Sequence, residues 1–202
     1  IASFVGEAVV ARVTGPAPAT SEAALAREVF AALISNASAD PEALASAVDA
    51  LADRLTSQEA ALTEAEQRFL DLRHRYGSSD VGLFALFLFN IAHLGPGQGF
   101  YTTAGVPHAY LKGNIIECMA NSDNVVRVGL TPKFKDARTL LEIMDTTPQA
   151  PTPLDGAPVT SEDGVIRFIY ATPAAEFEMR RWQLPGGTGT TIEKGEVPAV
   201  LL

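Results

Sequence analysis

Between Gly99 and Asp136 the chain gathers most of the residues that could do chemistry: GFYTTAGVPHAYLKGNIIECMANSDNVVRVGLTPKFKD. In VPHAYLKGNIIECM, period-two alternation puts His108 and Tyr110 on one face of a predicted strand and Ala109 and Leu111 on the other. The KGN centre predicts a two-residue hairpin loop, with Ile115 to Met119 as the return strand. In either two-residue register His108 and Glu117 share a face, with Cβ atoms roughly 5 Å apart if opposed and about 7–8 Å if diagonal. A three-residue loop would put them on opposite faces. An imidazole beside a carboxylate is a partial metal site or an acid–base pair. A structural zinc wants about four ligands, so a metal here would need others from elsewhere. In NVVRVGL, Arg127 falls with Val125 on one face and Val126 with Val128 on the other. An Arg among valines calls for an anion, and its planar fork suits carboxylate or phosphate. Lys133 and Lys135 flank Phe134 in the loop TPKFKD.

Plainer readings stand beside each of these. His108 could be a hydrogen-bonded structural residue, Glu117 a rim carboxylate, Arg127 one half of a salt bridge to Asp123, and Tyr110 a residue packing across the hairpin. Cys118 alternates away from Glu117 and reads as core. His74 and His93 fall in helical segments and read as surface or helix-end residues.

Helices must carry this stretch. Ser21 caps EAALAREVFAALIS, in which Leu25, Val29, Phe30 and Leu33 recur at helical spacing. Asp40 followed by Pro41 opens PEALASAVDALADRL. Ser57 or Thr63 starts the next helix, EAEQRFLDLRHRY; Thr63 and Glu66 have capping-box spacing, and Gly77 ends it. A fourth helix, DVGLFALFLFNIAHL, is apolar nearly all round and must sit between other elements. Residues 1–13 read as a strand or a short buried segment. From Gly97 the texture turns to β, interrupted by the helical ARTLLEIM; GVIRFIYAT and AEFEMRRWQL alternate with period two. DTTPQAPTPLDGAPVT, with its prolines, reads as an inter-domain connection. The order helices, β, linker, β indicates an α+β chain with antiparallel sheets.

The 202 residues carry a formal net charge of −9, which argues against nucleic acid as a partner. No run of eighteen apolar residues suggests a membrane span, and the single cysteine precludes an intrachain disulfide and suits a reducing compartment. The first residues lack the marks of a signal peptide, and both ends look cut from something longer.

PHAYLKGNIIECMANSDNVVRVGLTPKFKD resembles the signature of the type I mannose-6-phosphate isomerases, a zinc-dependent cupin family. The similarity extends upstream through SSDVGLFALFLFNIAHLGPGQGFYTTAG, where the family usually has Pro-Gly in place of Ser78–Ser79. It covers residues 78–142. The resemblance implies antiparallel cupin, or jelly-roll, strands with an all-α helical insertion and the start of a second cupin-like domain. On that reading residues 1–13 are the tail of the catalytic cupin, 14–96 the insertion, 97–147 its returning part and 148–202 a partial C-terminal domain. It implies a cytoplasmic enzyme of carbohydrate metabolism, feeding GDP-mannose biosynthesis, whose partner is a small sugar phosphate. His108 matches a zinc ligand, Arg127 the catalytic arginine, Glu117 a carboxylate of proton transfer and Lys133 a phosphate-holding lysine, with Tyr110 beside the substrate. The family's other zinc ligands, a Gln-x-His pair and a Glu, belong to a portion this chain does not contain, and no Gln-x-His occurs in it. The alternative is an inactive cupin-like sugar-phosphate-binding module, or a truncated remnant without bound metal.

Overall fold

A computed structural model describes residues 1–15, 21–122, 124–160, 164–192 and 200. They divide into two compact units, the first made of residues 1–92, 102–113 and 123–151, the second of 93–101, 114–122 and 152–202.

The first unit is helical. Helix α1 (Ala2–Val5) and helix α2 (Glu7–Thr14) are separated by Gly6, whose φ of 103° breaks the run. The strand expected over residues 1–13 is therefore not formed. Val5 instead packs into the helical core, and Arg12 of α2 pairs with Glu28 at 2.9 Å. Helix α3 (Glu22–Ala39), helix α4 (Pro41–Ser57) and helix α5 (Glu64–Tyr76) start where the caps predict. The Ser21 hydroxyl accepts from the Ala24 amide, and Asp40 accepts from the Ala43 amide. Thr63 and Glu66 close a complete capping box. Gly77, at φ 75°, ends α5.

The fourth expected helix is much shorter than its apolar run. Helix α6 covers Gly82–Ala85, a 3-10 turn follows over Leu86–Leu88, and the chain is extended by Phe89. Packing explains the break. Phe87 packs tilted against Phe69 with ring centroids 5.6 Å apart, while Phe89 reaches Phe30 at 5.5 Å, and those two anchors belong to different apolar clusters. One cluster centres on Leu33, Val48, Leu55, Phe69 and Phe84; the other joins Phe30, Ile34 and Ala85 to Leu140 and Met144. Helix α7 (Ala137–Ile143) is capped by Asp136, and Arg27 of α3 donates to the carbonyls of Leu141 and Met144 at its far end.

The second unit is antiparallel β. Strand β1 (Gln98–Gly99) pairs with strand β2 (Leu154–Asp155). Strands β3 (Ala157–Thr160), β4 (Ile166–Tyr170) and β5 (Met179–Gln183) form a meander in the order β3-β4-β5. The end of the expected linker is thus strand: Leu154–Asp155 and Ala157–Thr160 find partners on either side of Gly156. Phe168 stands opposite Arg181, whose guanidinium lies 3.8 Å from the ring centroid, and the Tyr170 hydroxyl donates to the Gly97 carbonyl.

Candidate functional site

His108 lies just beyond a turn closed by the Val106 amide on the Thr103 carbonyl, and Gly105 at its tip has φ 83°. Its ring is exposed, and Nδ1 lies 3.0 Å from the Val106 carbonyl oxygen. A carbonyl only accepts, so Nδ1 donates there, which in a neutral ring leaves the lone pair on Nε2. The Tyr110 ring meets the imidazole edge-on at 5.8 Å, so alternation holds for this pair.

The hairpin beyond them is not formed. Among the described residues, 107–122 contain no strand, and Gly113 sits at φ 123°. Ile115, Ile116 and Met119 are each more than half exposed, so the return segment has no packed face, and a lone two-stranded ribbon is marginal in water. The register that was to bring His108 and Glu117 onto one face is absent. Glu117 is exposed and belongs to the second unit, whereas His108, Tyr110, Arg127 and Lys133 belong to the first. Cys118, expected in the core, is exposed. His74 is exposed on α5 as expected; His93 lies beyond the end of the helical run rather than in it.

Arg127 is half-buried in an extended segment where Val126 and Val128 pack on the cluster of Phe30, Leu140 and Met144. Val125 is 50% exposed, so the expected alternation holds although no strand is formed. The alternative partner of Arg127, Asp123, lies outside the described residues. Lys133 is exposed, its amide donating to the Thr131 hydroxyl at 3.2 Å.

A residue that sequence reasoning passed over organises this loop. Asp80 is buried, and its Oδ1 accepts from the amides of Gly82 at 2.8 Å and Leu130 at 2.9 Å. Its Oδ2 accepts from the Lys135 ammonium at 2.9 Å. Gly129 is pressed against this carboxylate: a Cβ there would stand 2.3 Å from Asp80 Oδ1 and 2.7 Å from the Gly82 nitrogen. The available signal was a single charge at the head of the apolar run DVGLFALFLF.

For the implied zinc, His108 offers Nε2, the ring nitrogen not held by the Val106 carbonyl. Among the described residues no three His, Cys, Asp or Glu side chains converge on a point, so they do not make a zinc site by themselves.

No family model matches the chain. Curated relatives do. Mannose-6-phosphate isomerase from Rattus norvegicus is 45% identical over 113 residues, covering 56% of this chain and 27% of its own length. The Homo sapiens protein of that name is 40% identical over 139 residues, covering 67% of this chain and 33% of its own length. That from Cryptococcus neoformans is 36% identical over 189 residues, 91% of this chain and 42% of its own length.

The chain is similar to mannose-6-phosphate isomerases over most of its own length. It spans 27% to 42% of the length of these three relatives. No solved structure matches. The mixture of helices and antiparallel sheets agrees with the expected α+β class. No described helix is long and apolar enough to cross a membrane.

Proposed function

We propose that this chain is part of a mannose-6-phosphate isomerase that interconverts mannose 6-phosphate and fructose 6-phosphate. The observation that carries the reading is the 36% identity to the Cryptococcus isomerase across 91% of the chain. On this reading residues 97–147 return to a catalytic cupin and 148–202 open a second cupin-like domain.

The reaction moves one proton between C1 and C2 of the open-chain sugar. Glu117 takes the proton from C2 of the aldose and returns it to C1, while the hydroxyl proton on C2 passes to the C1 oxygen; atoms and charge balance. Arg127 offers its fixed fork to the oxygen on which negative charge develops in the enediol-like intermediate. Lys133 holds the phosphate as a point charge, and Tyr110 contacts the sugar. His108 would give one ligand to zinc through Nε2, with the remaining ligands coming from outside the described residues. Zinc, if bound, would polarise the carbonyl.

The test is an isomerase assay with metal analysis on the complete encoded protein. Arg127→Ala is expected to lower kcat by about 10²–10³-fold, as loss of a transition-state donor does, with KM changed far less. Unchanged turnover would remove Arg127 from the mechanism. The rival reading is a sugar-phosphate-binding module without metal. Binding of mannose 6-phosphate with neither zinc nor turnover in the wild-type protein would establish it.

A further inference from the structure

We infer that Asp80 is the positioning residue of the 129–135 loop and, through it, of Lys133 in the sugar-phosphate site; the second step rests on the isomerase reading. A carboxylate that is 7% exposed needs every lone-pair direction answered, and this one has three donors. Capping α6 would require only the Gly82 amide. The other two donors, the Leu130 amide and the Lys135 ammonium, come from a loop fifty or more positions later in the chain. They bracket Lys133 in sequence.

The loop has few other holds. Phe134 is 83% exposed, Lys133 is exposed, and only the Leu130 side chain rests on the helical core. Leu130 itself takes φ 55°, a left-handed conformation that a branched side chain rarely adopts and that surrounding structure must impose. Asp80 imposes it by fixing the amide of that same residue. Gly129 and Gly82 let the backbones close around the carboxylate, where a methyl group on Gly129 has no room. Lys135 turns inward to Asp80, while Lys133, two residues before it, is exposed.

The experiment compares wild type, Asp80→Ala, Asp80→Asn and the double variant Asp80→Asn/Lys135→Met in the complete encoded protein. It reads amide hydrogen exchange together with KM and kcat for mannose 6-phosphate. Asp80→Ala is expected to speed exchange at the Leu130 amide by about tenfold or more, with amides of α4 unchanged, and to raise KM by about tenfold with kcat less affected. Asp80→Asn keeps an oxygen for the two amides but sets an NH2 against the Lys135 ammonium. Adding Lys135→Met removes that clash and is expected to return KM toward wild type. Equal exchange at Leu130 in Asp80→Ala and wild type would overturn the inference, as would faster exchange with an unmoved KM. If the wild-type protein did not isomerise its substrate, the isomerase reading would fall. The exchange comparison would then decide alone whether Asp80 holds the loop.

Discussion

At the scale of single residues, close approach decides more than charge. Gly129 sits where any side chain would collide with the Asp80 carboxylate and the Gly82 backbone. Gly129→Ala must push those groups apart, so a loss of roughly 1–3 kcal/mol is expected from overpacking. Denaturant melts of wild type and variant check this; an unchanged midpoint would mean the loop shifts at no cost. Individual site residues were only partly legible in the sequence. The His108–Tyr110 pairing and the inward Val126 and Val128 follow from period-two alternation, which needs only local extension. The relation of His108 to Glu117 depended on a loop length, and the backbone leaves that register unformed. Asp80 was hidden because its partners lie far along the chain, and no local pattern announces a long-range carboxylate clamp.

At the scale of elements, the helices were the most legible part. Ser21, Asp40 and Thr63 cap where their side chains predict, since a cap is satisfied by amides three residues away. Helix α6 was the failure: an apolar run says that a segment is buried, but not that it stays helical. Its Phe84 packs on Phe69, with ring centroids 6.5 Å apart, and both are fully buried. Phe69→Ala is therefore expected to cost about 3–5 kcal/mol, read as a drop in thermal midpoint followed by helical circular dichroism. A loss under 1 kcal/mol would show that the cluster collapses into the space.

At the scale of the whole molecule, acid should act through scattered caps. Hydrogen bonds hold four carboxyls below their ordinary range: Asp49 from Ser78 and Arg73, Glu66 from Thr63, Asp136 from Thr139 and Asp145 from Thr147. A carboxyl depressed in the folded state contributes stability above its unfolded value and loses that contribution as pH falls through its folded value. The thermal midpoint should hold from neutral pH to about pH 5 and decline below about pH 4. Asp136→Asn, which retains a capping oxygen, should shallow that decline; an unchanged slope would mean Asp136 has no part in it. Global organisation was the least legible level, since composition separates a helical from a β-rich stretch but not which short segments join which body. The division has one practical result. The polypeptide crosses between its two bodies after Ala92, Tyr101, Gly113, Ser122 and Pro151. Neither body can be excised as one continuous piece. Truncation series across residues 93–151 will wound both bodies at once, so dissecting them calls for spliced designs rather than shortened ones.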